Sequence, residues 1–584
     1  MAASDARGFA GRLAASDDDA LARLFDVRGV SPTASWADFF DAAEALLEPP
    51  ALLRGLAALT RAEADAVAAA LATGTAIPAG VARDAVVAYG LADLDGVPFR
   101  AVADAWPEAA APTADETGSA PVGTGTDADD GAEPGAPESD AHAAERAFAA
   151  SAALADILHL ALAAPLTRVG SGALGAADRR RVVATGAAEN GAEADELLSI
   201  AAVAGLIAPV ERQWQVTAAG REWMHEGSVR RWHAVARRLR DALPAGVRDD
   251  AGGWIPLAEW PAAYPFDPAW AERTDRLRAL LHRWAMVAGD APPAWAEELA
   301  RGADADEEAL QALVPSEVDR LYLQNDLTAI APGPLAPHLD MRLRAMATRE
   351  SRAQASTYRF TAETIDAALT AGETASSLRD FLGALSLTGL PQPLAYEIDR
   401  ASARHGSLRV GPDWSGRTRI SGDDALLRTA AVDQSLRPLG LLPDEDGSLL
   451  TRTAPETAFW VLSDARYPVV AVDADGIPRV LDRHRIAATP AAPSDPADVY
   501  APLIARLRTA HEHDAEAAWL GRELEQAVRA HAVVTVVVRL RDGSERELVL
   551  EATGFGGGRL RGKDHGADVE RTLPVSSIVS VRID

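Results

Sequence analysis

The sequence predicts a multidomain, α-rich protein with α/β parts, and three observations predict it. Apolar residues recur at three- and four-residue spacing through the first hundred positions, as amphipathic helices require. From Arg320 short extended runs alternate with helical ones, and residues 522–584 are rich in β-branched residues divided by turn signals. A chain of 584 residues also exceeds what one hydrophobic core organises; about 150 residues per domain suggests roughly four.

Residues 1–106 read as a helical N-terminal domain. Leu21, Leu24 and Phe25, then Phe39, Phe40, Ala43, Leu46 and Leu47, mark two of its helices, and Pro49-Pro50 is expected to end the second. Residues 107–146 are read as an acidic disordered linker. Between Glu108 and Glu145 there are ten Asp or Glu, no Arg or Lys and almost no large apolar side chain, so the segment cannot bury a core.

Residues 147–245 begin with an apolar helix containing Leu154, Ile157, Leu158 and Leu162. Helices are expected at 178–184 and 193–204, and Gly205 ends the second. Leu206 to Val210 and Trp214 to Thr217 are extended around Glu211-Arg212-Gln213. Three helices followed by a β-hairpin predict a winged helix, and Val216-Thr217-Ala218-Ala219-Gly220 opens the helix after it. Trp214, Trp223, Trp232, Trp254, Trp260, Trp270, Trp284 and Trp295 are expected to be packing anchors of a helical module over 246–312, not a stacking platform for bases.

An α/β domain is expected over 313–410. Its strands are 320–323, 327–330, 358–360 and 408–410, with Thr361 capping a helix to Leu369, a second helix from Thr374 to Leu387, and a third from Leu394 to Arg404. A small α/β unit over 411–486 carries a hairpin around Asp444-Glu445-Asp446-Gly447. A linker and polar helix occupy 487–521. The last 63 residues, 522–584, are read as one helix and a small β-barrel with a turn at Arg541-Asp542-Gly543.

Composition excludes several chemistries. Without cysteine there is no disulfide framework, thiolate zinc site or iron–sulfur cluster. The balance of 57 Lys+Arg against 86 Asp+Glu, a net charge of −29, argues against coating nucleic acid or anionic membrane by bulk attraction. Lys563 is the only lysine, so every other fixed cation is an arginine, whose planar fork suits carboxylates, phosphates and base edges. The N-terminus lacks the apolar stretch of a signal peptide and no membrane span is read, so a cytoplasmic protein without a membrane partner is expected.

Motif fragments do not assemble into an active site. Gly170-Ser171-Gly172-Ala173-Leu174-Gly175 spells a dinucleotide fingerprint, but a helix precedes it where a buried strand is needed. Gly557-Gly558-Arg559-Leu560-Arg561-Gly562-Lys563-Asp564 resembles the start of a P-loop. Asp564 stands where a hydroxyl must meet Mg²⁺, and more strand follows, so a hairpin turn is expected. His511-Glu512-His513-Asp514 reads as a solvated helix face. No catalytic, cofactor-binding or metal-binding residue is assigned, and with no second lysine a P-loop ATPase or helicase motor is not expected.

Three groups of cations remain as nucleic-acid-binding candidates. Arg179, Arg180 and Arg181 precede the expected recognition helix. Arg230, Arg231, Arg237, Arg238 and Arg240 flank the apolar stripe Trp232, Val235, Leu239 and Leu243. Both groups could meet the phosphates that position a winged helix on a duplex. The competing reading is a solvated face paired with this chain's own acids. The recognition helix itself, with Glu193, Asp195 and Glu196, is poorly suited to a major groove. Arg559, Arg561, Lys563 and Arg571 form the third candidate face.

Val314-Pro315-Ser316-Glu317-Val318-Asp319-Arg320-Leu321-Tyr322-Leu323-Gln324-Asn325-Asp326-Leu327-Thr328, then Ser356-Thr357-Tyr358-Arg359-Phe360-Thr361, Gly389-Leu390-Pro391-Gln392-Pro393-Leu394 and His405-Gly406-Ser407-Leu408-Arg409-Val410, follow one another over about a hundred residues. This series resembles the N-terminal domain of the XPB/Ssl2 DNA-repair helicases, whose motor domains have no counterpart here. The wider layout resembles actinobacterial helicase-associated domain-containing proteins. Residues 522–584 are similar to a WYL domain, with a D-G turn and a final run at Arg571, Leu573, Ile578 and Val581, although the Trp-Tyr-Leu signature is absent. The resemblance implies a non-catalytic DNA-binding or helicase-associated accessory protein in DNA repair or transcription. Its expected partners are DNA, met through local arginine faces, and a separate helicase or nuclease. The alternatives are a protein-interaction scaffold for such an enzyme, or a ligand-responsive regulator acting through the WYL-like domain.

Overall fold

The computed structural model describes residues 2–106, 139–170, 172–352, 355–483, 485–488, 495–514, 524–525, 527–529, 532–539, 544–566 and 569–583. Seven helices open the chain: α1 (Ala2–Ala15), α2 (Asp18–Val27), α3 (Phe39–Leu47), α4 (Pro49–Ala57), α5 (Arg61–Thr73), α6 (Val81–Ala88) and α7 (Arg100–Ala105). Capping explains their starts. Asp17 accepts a hydrogen bond from the Ala20 amide at 2.7 Å, and Thr60 with Glu63 forms a reciprocal capping box. Pro49-Pro50 ends α3 and also opens α4, because a helix's first turn leaves its amides unbonded and tolerates proline there. Phe9, Phe25, Phe39 and Leu56 are buried at the centre of these helices. Beside them Arg28 is fully buried, donating to the carbonyls of Ala51 (3.1 Å), Tyr89 (3.0 Å) and Leu46.

The central unit comprises α8 (Asp140–Ala163), β1 (Leu166–Thr167), α9 (Ala176–Ala184), α10 (Gly191–Val203), β2 (Ile207–Val210), β3 (Gln213–Val216), α11 (Ala218–Trp223), α12 (Ser228–Asp241), α13 (Trp270–Arg283), α14 (Glu297–Ala300) and α15 (Glu307–Leu313). Its strands form a small antiparallel sheet in the order β1-β3-β2. α8 starts at Asp140, within the span expected to be linker, because Ser139 caps it and Ala143, Ala144 and Ala147 are already buried. The rest of that expected linker, 107–138, lies outside the described residues. By length and composition α8 could cross a membrane, but 61% of its most apolar window is buried against this core.

One core runs from Ala143 to Val314, so no packing boundary falls at 245/246. Tryptophans knit it together. The Trp232 indole donates to the Trp284 carbonyl at 2.6 Å and the Trp284 indole returns the bond to Trp232 at 3.0 Å, tying α12 to the end of α13.

Two mixed units follow. β4 (Tyr322–Leu323), β5 (Thr328–Ala331), α16 (Pro337–Arg344), β6 (Thr348–Arg352) and β7 (Ser356–Arg359) make a four-stranded sheet in the order β4-β5-β7-β6, packed on α17 (Ala362–Thr370), α18 (Ala375–Leu385) and α19 (Gln392–Arg404). Next come β8 (Leu408–Pro412), β9 (Thr418–Gly422), α20 (Asp424–Val432), β10 (Leu442–Pro443), β11 (Leu449–Thr451), α21 (Pro455–Asp464), β12 (Val469–Val472) and β13 (Pro478–Arg479). Their six-stranded sheet has the order β10-β11-β9-β8-β12-β13, parallel only between β8 and β12. β8 therefore belongs to this second sheet, and the unit begins before Leu408, not at residue 411. Leu408 and Val410 are buried with Ile420 and Val469 on its helix-covered face.

α22 (Pro496–Asp514) is not a linker helix. Tyr500, Leu503, Ile504 and Leu507 complete the N-terminal core, and the Tyr500 hydroxyl donates to the Val30 carbonyl at 2.8 Å. β14 (Val533–Arg539), β15 (Glu545–Gly556), β16 (Arg559–Asp564), β17 (Val569–Pro574) and β18 (Ile578–Ile583) end the chain. They form an antiparallel sheet in the order β17-β16-β15-β14-β18, not a closed barrel: among the described residues β17 and β18 are opposite edges without a shared ladder. Bulges at Ala552/Gly554 and Val537/Val538 bend the sheet, but closure needs a β17–β18 ladder that is absent among the described residues. The expected turn at 541–543 lies outside the described residues.

Candidate nucleic-acid interface

The arginines singled out by sequence separate into occupied and unoccupied groups. Arg179 on α9 meets Asp195 at 2.7 Å, and Arg181 meets Asp178 at 3.2 Å and the Ala164 carbonyl at 3.3 Å. Arg180 between them is exposed and makes no ion pair among the described residues. Consecutive helical residues point in different directions, so the triplet is not one patch.

On α12 the same division appears. Arg231 is buried beneath the helix, donating to the carbonyls of Trp223 (3.2 Å) and Met224, with its guanidinium 5.2 Å from the Trp223 ring. Burial pulls its pKa down to about 10. It cannot reach a phosphate, so its assignment as a nucleic-acid contact is corrected. Arg240 is likewise buried, donating to the carbonyls of Gly302 (3.0 Å) and Ala303 (2.7 Å). Arg237 pairs with Asp304 at 3.4 Å and Arg230 with Glu226 at 3.7 Å, both exposed and weakly held. Arg238 is exposed without an ion pair among the described residues.

The helix expected to read a groove has its acids paired within the protein. Arg283 on α13 reaches Glu196 at 2.8 Å and Glu193 at 3.3 Å, while Asp195 holds Arg179. All three acids of α10 are thus engaged inside the protein. The hairpin after it presents Arg212 at an exposed tip beside Glu211, whose φ of 53° makes the turn.

Strand alternation divides the C-terminal candidates. In β16, Arg559, Arg561 and Lys563 share the exposed face, while Leu560, Gly562 and Asp564 face inward. Arg571 lies opposite Gly562 and therefore on the inward face, where its Nε is 2.5 Å from the buried Asp564. It is not part of the basic face. The outward arginines have small neighbours: Gly556 opposes Arg559 and Gly554 follows the bulge opposite Arg561, with Pro574 and Thr572 on the other side. Glu551 and Glu570 flank Lys563 instead. Gly557 and Gly558, at φ 60° and 69°, form the β15–β16 turn, so the P-loop-like letters are a hairpin.

Sequence reasoning passed over the β8–β9 hairpin. Its tip, Asp413-Trp414-Ser415-Gly416-Arg417, holds an indole that is 92% exposed. Asp413 points inward and accepts from the Ser415 amide (3.1 Å), the Ser415 hydroxyl (2.5 Å) and Arg419 Nε (3.0 Å). Those bonds, the hydroxyl's first, hold its carboxyl down at about 2. The signal was an Asp-x-Ser-Gly turn between two β-rich runs with tryptophan in the free position.

No curated protein matches the chain. Among solved structures, the proteasome accessory factor B/C (PafBC) of Arthrobacter aurescens is similar over 49% of this chain and 53% of that one, at 11% identity and a TM-score of 0.12. The chain thus spans about half the length of that protein. Residues 321–442, from β4 to the start of β10, match the family model of the helicase conserved C-terminal domain.

Proposed function

We propose that this chain is a non-catalytic, helicase-associated accessory protein that contacts DNA through a few local arginine faces. The observation that carries the reading is the helicase-domain match over 321–442. Within it the motif residues that resemble the XPB/Ssl2 N-terminal domain stand at element boundaries: Asp326 and Thr328 brace the β4–β5 turn at 2.6 Å, and Pro391-Gln392-Pro393-Leu394 opens α19. The helix order and three-stranded sheet of α8 to β3 support a winged helix, and the sheet of β14 to β18 supports a WYL-like module. A single lysine, in a β-hairpin, supports the lack of a helicase motor. On this reading Arg559 and Arg561 contact phosphate, and the setting is DNA repair or transcription.

A second reading, a scaffold for a separate helicase or nuclease, draws on the many arginines already engaged within the protein. Salt-titrated binding of the full chain to single- and double-stranded DNA separates the two. The accessory reading expects measurable binding at low salt, and the paired substitution Arg559→Ala with Arg561→Ala should lower the salt slope by about 2 on a duplex. Undetectable binding at low salt, with a helicase or nuclease retained, favours the scaffold.

A further inference from the structure

We infer that the β8–β9 hairpin is a base-stacking element for single-stranded nucleic acid, with Trp414 as the platform and Arg417 as a phosphate contact. The inference deepens the proposed DNA contact and rests on it. Every other described tryptophan is buried or half-buried, and Trp414 alone stands in solvent. Leaving an indole 92% exposed forgoes the burial that stabilises the rest of the fold.

The tip is pre-organised. The Asp413 amide donates to the Arg417 carbonyl at 2.7 Å, the Gly416 amide donates to the Asp413 carbonyl at 3.0 Å, and Gly416 adopts φ 77°. With Asp413 also bonded to Ser415 and Arg419, the loop around the indole has little freedom left to lose when a ligand stacks on it. Arg417 spends only its Nε, on the Ser415 hydroxyl at 3.0 Å, and makes no ion pair among the described residues. β11 runs beside β9 with Thr451 opposite Thr418, so exposed Arg452 follows at the same end of the sheet, pinned by the Thr418 hydroxyl bond to Thr453 at 2.6 Å.

An aromatic face next to guanidinium groups is the combination that holds an unpaired nucleotide, base on the ring and phosphate on the cation. A duplex offers no free base face. Among the described residues no second large apolar side chain joins Trp414 at the tip to build the apolar centre of a protein interface, and the exposed charge there is the cation Arg417, which favours nucleic acid over a protein partner.

The test is fluorescence anisotropy of the full chain with a labelled oligothymidine and with a duplex of equal length. Trp414→Ala should weaken oligothymidine binding about tenfold while leaving the salt slope unchanged, and Trp414→Phe should stay within about threefold of the parent. Arg417→Ala should reduce the single-strand salt slope by about 0.7. Because Trp414 is solvent-exposed, the melting temperature of Trp414→Ala should match the parent's. If the parent binds oligothymidine and Trp414→Ala binds it equally well, the stacking role is overturned while the DNA-contact reading stands. If the parent binds neither DNA at low salt, both fall.

Discussion

Arg344 of α16 sets its Nη1 2.7 Å from Oδ1 of Asp156 on α8, joining the first mixed unit to the central core. Arg349 of β6 takes the other carboxylate oxygen, and Asp340, which accepts from the Tyr358 hydroxyl at 2.6 Å, lies 3.6 Å from Arg344. All of these side chains are largely shielded, so the charges compensate one another where water cannot. Asp156→Ala leaves two shielded guanidiniums with only the more distant Asp340 to share and should destabilise the seam by about 3 kcal/mol. The expected result is an earlier first urea transition and new protease cleavage between residues 314 and 360. An unchanged first transition would mean that the cluster contributes nothing net.

Arg231 and Arg238 lie on the same helix and should behave oppositely. Arg231→Ala removes the donor to two buried carbonyls and should cost about 2–4 kcal/mol of stability. Arg238→Ala, on the exposed face, should leave the melting temperature within about 1 °C and, if α12 touches DNA, lower the salt slope by about 1. Thermal melts and salt-titrated binding of the two variants decide it. A stable Arg231→Ala protein with weakened DNA binding would reverse the assignment.

Much of the helical architecture was legible because its signals are local. Thr361 and Thr374 cap the helices expected of them, and the tryptophans pack as anchors. α16 and β6 were missed for a physical reason: Pro337-His338-Leu339-Asp340-Met341-Arg342-Leu343-Arg344 is too polar to show a stripe, and Thr348 to Arg352 is an edge strand without apolar alternation. Long-range partnerships were invisible. Nothing local in Tyr500 or Leu503 shows that α22 returns to α2, and nothing in Arg231 distinguishes it from Arg230 except the helical phase set by neighbours distant in sequence. The candidate cations are visible as letters, but their availability depends on strand parity and on acids such as Asp195, Asp304 and Asp564.

Gly220 in α11 is fixed by close approach, not by its backbone angle. A Cβ there would stand 2.1 Å from the Leu206 carbonyl oxygen and 3.0 Å from Val216, where the hairpin strands leave α10 and enter α11. Gly220→Ala must push the hairpin away from the helix and should cost at least about 2 kcal/mol. Gly186→Ala, at an exposed turn with open space around it, makes a useful control: its φ of 70° predicts a loss of about 1 kcal/mol. Urea denaturation should rank Gly220→Ala as the more destabilised of the two. The reverse order would show that the contact at Leu206 relaxes without cost.

Asp413 gives the β8–β9 hairpin a defined acid response. Its folded pKa of about 2 lies below the ordinary 3.8, so its bonds favour the folded hairpin above about pH 4 and that contribution disappears as pH falls through 2. The Ser415 hydroxyl is the largest cause of the depression, ahead of the Ser415 amide and Arg419. Ser415→Ala should therefore raise the Asp413 pKa toward the ordinary value and move the loss of hairpin order to higher pH, with little change at pH 7, where the carboxylate stays ionised and keeps Arg419. Carbon-13 NMR titration of the aspartate carboxyls in parent and Ser415→Ala chains measures the shift directly. An Asp413 midpoint that remains near 2 in the variant would assign the depression to the Ser415 amide and Arg419, and Arg419→Gln should then separate the two by moving it or leaving it in place.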